Sequence, residues 1–187
     1  MITFERRKAD ALRKDDKSNV GSLDVKIKGL CERINKFDDF YTTSSCSGRV
    51  VLIKGEDKKQ EGMFLFRSHD KVKVEEIKGV LEKLDYNGVI IFKQEPCVLA
   101  IACKDLEGAG RLLDIAREKA GWKQSGVMTL KNRIIVELRS SENLSLPIAL
   151  GNKILVDDKY LELLIDEANK RLEKTWEKIN RLIKELK

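Results

Sequence analysis

Histidine and paired cysteines are scarce in this chain of 187 residues. His69 is the only histidine, and the four cysteines are scattered without a CxxC pair. One histidine excludes a histidine-rich metal site, and scattered cysteines favour neither a zinc site nor a disulfide framework. We therefore predict no metal site. Cys97 and Cys103 are six positions apart in an extended apolar run, which places them on one face of a strand as small core residues.

Long apolar runs are also absent. No run approaches the roughly 18 apolar residues of a membrane-spanning helix, and residues 1–8 lack the apolar region of a signal peptide. We expect a cytoplasmic protein without a membrane partner. The hydrophobic fraction of 42% and charged fraction of 36% are typical of a globular chain with a core. The net charge of +6 favours a polyanionic partner, although the excess is modest in a chain so rich in lysine and glutamate.

The usual glycine-rich phosphate motifs are missing. The sequence contains no GxxxxGK[ST] loop. Gly108-Ala109-Gly110 opens a predicted helix soon after a predicted strand, but Leu113 replaces the third glycine of GxGxxG. The predicted elements also lack the strict alternation of strand and helix that builds a doubly wound sheet. The pattern therefore argues against a Rossmann fold.

The sequence predicts an α+β fold, with a mixed, largely antiparallel sheet, flanking helices and a long C-terminal helix. Strands are predicted over 49–54, 126–130 and 144–150, among others, and a helix is predicted over 106–120. Residues 1–157 would form the α+β domain, and residues 158–187 would form an amphipathic helix packed on it. That helix either packs across the body or pairs with a second subunit, which predicts a monomer or a weak dimer. Ser22 is the predicted N-cap of the second helix. Ser47-Gly48 and Ser125-Gly126 each lie beside a predicted hairpin, which suggests an internal duplication.

The most informative stretch is Ser44-Ser45-Cys46-Ser47-Gly48-Arg49, between two apolar segments that favour strands. Three hydroxyls, a thiol, a glycine and a guanidinium occupy its six positions. Small polar side chains beside a glycine allow a ligand to approach the backbone, and arginine offers a planar fork to a phosphate or carboxylate. A serine-rich hairpin turn is the alternative interpretation.

Other polar residues at predicted strand ends repeat this chemistry. His69 follows a strand in Arg67-Ser68-His69-Asp70, where an imidazole is suited to moving protons. Arg139-Ser140-Ser141 again combines a guanidinium with hydroxyls at the end of a strand. Trp122 is suited either to stacking on a base or to the core. These features together predict a small-molecule or nucleotide-binding α/β protein with a basic bias.

In order along the chain, the segments resemble the tRNA wybutosine-synthesizing protein 3 family. The resemblance covers nearly the whole chain, and Ser44-Ser45-Cys46-Ser47-Gly48-Arg49 is its most specific part; Trp122 departs from the family, where phenylalanine is expected. The other segments that carry it are Phe4-Glu5-Arg6-Arg7-Lys8, Asp16-Lys17-Ser18, Gly21-Ser22-Leu23-Asp24, Ser68-His69, Ala120-Gly121-Trp122-Lys123-Gln124-Ser125-Gly126, Arg139-Ser140-Ser141 and Leu146-Pro147.

The resemblance implies an S-adenosylmethionine-dependent methyltransferase acting on a ring nitrogen of the wybutosine precursor, beside the anticodon of phenylalanine tRNA. It implies His69 as the first candidate for a general base and Asp24 as the second. The remaining candidates would line the substrate or cofactor site: Ser44, Ser45, Cys46, Ser47, Gly48, Arg49, Ser125, Gly126, Arg139 and Ser140. Two rivals are a non-catalytic tRNA-binding or scaffold protein of the same pathway and a thiol-dependent enzyme acting through Cys46.

Overall fold

A computed structural model describes residues 2–13, 24–56, 61–130 and 133–187. The elements in chain order are α1 (Phe4–Leu12), α2 (Val25–Asn35), β1 (Phe40–Cys46), β2 (Arg49–Lys54), β3 (Phe64–Ser68), α3 (Val74–Leu81), β4 (Val89–Glu95), β5 (Val98–Cys103), α4 (Leu106–Asp114), β6 (Gly126–Leu130), β7 (Arg133–Arg139), β8 (Leu144–Leu150), β9 (Lys153–Ile154) and α5 (Asp158–Glu185). Among the described residues no helix is long and apolar enough to cross a membrane.

The backbone groups into two compact units, each with its own antiparallel sheet. Unit 1 comprises Met1–Ser47, Cys97–Ser141 and Thr175–Lys187, and its strand order is β1-β5-β7-β6. Unit 2 comprises Gly48–Pro96 and Glu142–Lys174, and its strand order is β3-β2-β4-β8-β9. The α+β class and the absence of a Rossmann fold are confirmed. The division into residues 1–157 and a separate C-terminal helix stays a prediction.

In unit 1 the two faces of the sheet are covered differently. One face carries Leu99, Ile101, Val136 and Leu138, which belong to the same buried cluster as residues of α2, α4 and the end of α5. Phe4 of α1 belongs to a second cluster on the other face, with Tyr41, Ala102 and Ile135. The rings of Phe4 and Tyr41 lie 5.3 Å apart. Strand alternation separates these two sets, because neighbouring residues of a strand point to opposite faces.

Unit 2 buries one face of its sheet and the apolar stripe of the first part of α5. Val50, Leu52 and Phe92 are fully buried. The stripe residues within unit 2 are buried as well: Leu161, Leu164, Ile165, Ala168 and Leu172. Asn169 of α5 accepts a hydrogen bond from the Val72 N–H and donates one to the Val72 carbonyl, both at 2.9 Å. This two-way contact fixes the segment before α3 on α5.

Four local details differ from the expectations. β1 pairs with β5, and β2 pairs with β3 and β4, so the interpretation of Ser44-Ser45-Cys46-Ser47-Gly48-Arg49 as a hairpin turn is wrong. Asp24 is the N-cap of α2, in place of the predicted Ser22, which lies outside the described residues. The predicted helix over 106–120 is α-helical only to Asp114 and ends in a π-helical turn, Ile115–Lys119. The short edge strand β9 carries no periodicity from which it could be predicted.

Candidate functional site

The serine-rich stretch passes from one unit to the other. Ser44, Ser45 and Cys46 are the last residues of β1, the units divide between Ser47 and Gly48, and Arg49 begins β2. Gly48 has a φ of 92°, which lies in the left-handed region that side chains disfavour. The glycine is therefore required by the backbone at the point where the chain leaves the first sheet. The stretch is consequently a crossover and not a tight turn.

Asp24 ties the end of β1 to the start of α2. Its Oδ1 accepts a hydrogen bond from the Lys26 N–H at 3.1 Å, and its Oδ2 accepts one from the Ser47 N–H at 2.9 Å. Ser47 is fully buried. Because both carboxylate oxygens already accept backbone donors, Asp24 positions the serine-rich stretch in unit 1. Asp24, the second candidate for the general base, is thus already hydrogen-bonded to the backbone through both carboxylate oxygens.

Ser140 joins the end of β7 to the start of β5. Its Oγ accepts a hydrogen bond from the Cys97 N–H at 3.1 Å, and its own N–H donates to the Cys97 carbonyl at 3.1 Å. The residue is fully buried. Its hydroxyl therefore satisfies a backbone donor inside unit 1, where leaving that donor unpaired would cost stability.

Ser125 makes a similar link on the other side of β7. Its Oγ accepts a hydrogen bond from the Arg139 N–H at 3.1 Å and donates one to the Trp122 carbonyl at 2.7 Å. Trp122 is fully buried, and its indole N–H donates to the Lys178 carbonyl at 3.3 Å. Trp122 is thus a core residue and cannot stack on a base. Ser125 fixes the backbone at Arg139, whose side chain is exposed.

The unit 1 sheet carries two rows of mostly small residues on the same face as α1. Ser44 pairs with Ala100, Ala100 with Glu137, and Glu137 with Gly126, so these four lie side by side on one face. In the adjoining row Cys46 pairs with Val98, and Val98 with Arg139. Apart from the two chain neighbours of Gly126, no residue that the structure describes has an atom within 4 Å of where a Cβ on Gly126 would be. We call Ser44, Cys46, Val98, Ala100 and Gly126 the small-residue floor. The Glu137 carboxylate and the Arg139 guanidinium belong to the same two rows, on β7.

Unit 2 holds the imidazole candidate against the glycine of the crossover. His69 follows β3, and its Nδ1 lies 3.2 Å from the Gly48 carbonyl oxygen. A carbonyl only accepts hydrogen bonds, so Nδ1 must carry the proton when this bond forms. The neutral ring then has its lone pair on Nε2.

Arg49 is held in unit 2 by a carboxylate and a ring. Its Nε lies 2.6 Å from Glu95 Oε2, and the two residues are direct partners across β2 and β4. The guanidinium also lies 5.1 Å from the centre of the Phe64 ring. A guanidinium carries five N–H donors, so one ion pair leaves donors for a ligand. Glu95 was not among the predicted residues, because its partnership with Arg49 is visible only once the strand register is known.

The cysteines differ in their surroundings. Burial raises the pKa of Cys97 well above its usual value and that of Cys103 to about 12, so both stay neutral thiols. Cys46 is half-buried on the small-residue floor. Within the described residues no group of three or more His, Cys, Asp or Glu side chains is placed to hold a metal ion.

The predicted residues fall into two sets. Contacts and strand pairings connect those of unit 1, namely Asp24, Ser44, Ser45, Cys46, Ser47, Ser125, Gly126, Arg139 and Ser140. Unit 2 contains Gly48, Arg49 and His69. Of the segments that carry the resemblance, Asp16-Lys17-Ser18 and Gly21-Ser22-Leu23 lie outside the described residues.

Comparison with known proteins gives consistent matches. The family described as Methyltransferase TYW3 matches residues 6–187. The chain is 39% identical over 166 residues to the tRNA(Phe) 7-((3-amino-3-carboxypropyl)-4-demethylwyosine(37)-N(4))-methyltransferase of Archaeoglobus fulgidus, covering 88% of this chain and 83% of the relative. It is 36% identical over 185 residues to the tRNA wybutosine-synthesizing protein 3 homolog of Danio rerio, covering 96% of this chain and 72% of that one.

The fold is shared with a solved structure as well. The PH1069 protein from Pyrococcus horikoshii superposes with a TM-score of 0.90 at 28% identity, and the match covers 99% of this chain and 96% of that one. The resemblance carried by Ser44-Ser45-Cys46-Ser47-Gly48-Arg49 is therefore confirmed. The chain is a member of the Methyltransferase TYW3 family.

Proposed function

We propose that this protein transfers a methyl group from S-adenosylmethionine to N4 of 7-(3-amino-3-carboxypropyl)-4-demethylwyosine at position 37 of phenylalanine tRNA. The observation that carries this proposal is the family match over residues 6–187, which spans every candidate site residue. The name of the Archaeoglobus fulgidus relative states methylation of this nucleoside of phenylalanine tRNA at N4. The basic balance of the chain, with a net charge of +6, suits an RNA substrate.

The donor groups of the serine-rich stretch and β7 fit the methyl donor. Arg139 is exposed beside the small-residue floor, and a guanidinium matches the carboxylate of the donor's methionine part. Hydroxyls of Ser44 and Ser45 are suited to ribose oxygens or ring nitrogens. The open space over Gly126 accommodates a flat ring close to the backbone. We assign these four residues to binding, with Cys46 as a small lining residue.

When bound, the methyl donor supplies an electrophilic methyl carbon on a sulfonium. Arg139 and the hydroxyls of Ser44 and Ser45 would hold this donor, and N4 would take its methyl group with the thioether as leaving group. The proton on N4 must leave to a base, and the Nε2 lone pair of His69 is our first candidate for accepting it. Asp24 is the second candidate, although its oxygens already accept two backbone N–H groups. Holding N4 in line with the methyl group of the donor should supply much of the rate acceleration.

The buried serines have a supporting role in this proposal. Ser47, Ser125 and Ser140 hold backbone at the ends of β1 and β7, and so fix the exposed Arg139 and the serine-rich stretch. Arg49, held by Glu95, is assigned to an anionic group of the substrate or cofactor. The protein would act in the cytoplasm, as a monomer or as a weak dimer through α5.

Titration calorimetry with S-adenosylmethionine, with and without precursor tRNA, tests the proposal. We expect saturable binding of the donor and methylation of the tRNA. Binding of tRNA without any binding of S-adenosylmethionine would contradict the proposal and favour a non-catalytic tRNA-binding protein. Arg139→Lys is a useful variant, because it keeps the charge and removes the planar fork, so we expect weaker donor binding with unchanged folding.

A further inference from the structure

The unit 2 sheet has an outer face with an unusual composition. Arg49 pairs with Glu95, and Val51 pairs with Lys93 on one side and Arg67 on the other. Residues directly opposite each other point to the same face, so these side chains share one surface. Phe64 lies on it too, since the guanidinium carbons of Arg67 and Arg49 lie 4.2 and 5.1 Å from its ring centre. We call this surface the Phe64 face: Arg49, Phe64, Arg67, Lys93 and Glu95.

The Phe64 face is exposed along β3, where Phe64 and Arg67 lie, although Val51 and Ile53 of β2 on the same face are buried. Phe64 keeps 38% of its surface exposed, while Val50, Leu52 and Phe92 on the other face are fully buried. Ser145, the partner of Lys93 on β8, is also exposed. The two guanidinium groups beside the Phe64 ring place it in a cationic patch, a composition suited to a ligand that carries both planar and anionic groups.

The charge of the Phe64 face is positive. Three cations stand against one carboxylate, and that carboxylate, Glu95, is already paired with Arg49 at 2.6 Å. Arg67 and Lys93 form no ion pair with any other residue of the part of the chain that the structure describes. An unneutralised arginine and lysine on a flat surface are suited to phosphate groups spaced along a backbone.

An aromatic ring bordered by guanidinium groups is the arrangement that binds unpaired nucleotides. Bases stack on aromatic rings and on guanidinium planes, and the neighbouring cations contact the phosphates. Stacking requires a base that is not already stacked in a helix, so the chemistry selects a loop or a single strand over a duplex. An acidic peptide would match the charges but would have no planar group for Phe64 and Arg67.

We infer that the Phe64 face binds single-stranded RNA, stacking an unpaired base on Phe64 or Arg67 and contacting the adjoining phosphates with Arg67 and Lys93. This inference rests on the proposed function, because it gives the anticodon loop of the substrate a docking surface. It goes further in assigning that surface to Phe64, Arg67 and Lys93. Arg49 belongs to both the serine-rich stretch and the Phe64 face.

The test is fluorescence anisotropy with a labelled anticodon stem–loop RNA of phenylalanine tRNA, titrated at several salt concentrations. The double variant Arg67→Gln/Lys93→Gln should bind about tenfold more weakly or worse, and its salt slope should fall by about 1.4, since each lost phosphate contact on a single strand removes about 0.7. Phe64→Leu keeps an apolar side chain over the sheet and removes the ring. It should weaken binding about tenfold while leaving the salt slope unchanged.

Matched controls lie elsewhere on unit 2. Lys83→Gln/Lys153→Gln removes two exposed lysines, and Tyr160→Ala removes an aromatic residue that is 46% exposed without a cation over it. Both controls should bind the RNA like the parent. Parent-like RNA binding by the Phe64-face variants would overturn the inference. Unlabelled polyglutamate that displaces the labelled RNA from the parent protein as strongly as oligouridine does would overturn it as well.

S-adenosylmethionine titrated into the same variants separates this inference from the proposed function. Unchanged donor affinity together with weakened RNA affinity supports the inference. If the parent binds the donor and methylates tRNA while the Phe64-face variants do so equally well, the inference fails and the proposed function stands. If the parent itself neither binds the donor nor methylates, the proposed function fails, and that failure is seen before any variant is compared.

Discussion

The two units use their polar residues in different ways. In unit 1 the hydroxyls of Ser125 and Ser140 and the N–H of Ser47 are buried and hydrogen-bonded within the unit. In unit 2 His69 and Arg49 are only half-buried: His69 Nδ1 lies beside the Gly48 carbonyl oxygen, and Arg49 pairs with Glu95. Residues that look alike in the sequence thus divide into groups that hold the backbone and groups that are suited to chemistry.

Among the variants that test this difference between the units, His69→Asn is expected to lose the most activity. His69→Asn retains a side-chain N–H for the Gly48 carbonyl but has no lone pair where Nε2 stood. We expect the methylation rate to fall by about 10² to 10⁴-fold, the usual contribution of a positioned acid or base. Single-turnover methylation measures the rate, and the acid limb of the parent's pH–rate profile should disappear. Parent-like rates would remove His69 from the mechanism.

A smaller effect is expected for Arg49→Lys. Lysine keeps the charge but lacks the fork that holds Glu95 through Nε. We expect the dissociation constant of the substrate tRNA or of S-adenosylmethionine, whichever presents its anionic group to Arg49, to rise by about 10- to 100-fold. Hydrogen bonds to charged groups contribute about 1.5–3 kcal/mol. Arg111→Lys is the matched control, because its ion pair with Glu107 is exposed on α4 and such pairs contribute little. Equal losses in both variants would contradict a special role for Arg49.

Substitution of a buried serine hydroxyl of unit 1 should change stability more than ligand binding. Ser140→Ala leaves the Cys97 N–H without its acceptor and should lower the free energy of unfolding by about 1–3 kcal/mol. Ser44→Ala, at an exposed position of the same sheet, should change it by no more than about 0.5 kcal/mol. Urea unfolding followed by circular dichroism measures both. A larger loss for Ser44→Ala would contradict the assignment of the buried hydroxyl as a structural link.

The smallest effect is expected for Cys46. We expect Cys46→Ala to retain near-normal turnover, because methyl transfer to nitrogen needs no covalent intermediate on the enzyme. Iodoacetamide labelling of the native protein should modify Cys46 before Cys97 or Cys103, whose raised pKa values and burial keep them as neutral thiols. Loss of turnover in Cys46→Ala with retained donor binding would restore the thiol-dependent mechanism.

Local sequence patterns predicted most of the elements. β2 over Arg49–Lys54, β6 over Gly126–Leu130 and β8 over Leu144–Leu150 have the predicted bounds, and α5 ends two residues before the predicted end. Alternation and helical periodicity reveal which face of an element is apolar. The division into two sheets was not predictable in this way, because strand partners are distant in the sequence: Phe40 of β1 pairs with Cys103.

The candidate site was predictable in composition but not in roles. Hydroxyls, a guanidinium and an imidazole at strand ends were visible in the sequence, and so was their resemblance to one family. The sequence could not separate the buried Ser140 from the exposed Ser44, since burial depends on what packs above each residue. For the same reason Glu95 and Phe64, the partners of Arg49, carried no local signal.

Methyl transfer to precursor tRNA tests the central claim most directly. Phenylalanine tRNA carrying the demethylated precursor is incubated with the protein and S-adenosylmethionine, and the nucleosides are analysed by mass spectrometry. The account predicts that the precursor gains one methyl group at N4 with the parent protein and hardly any with His69→Asn. Binding of both donor and tRNA without methyl transfer, or methylation at another atom, would contradict it.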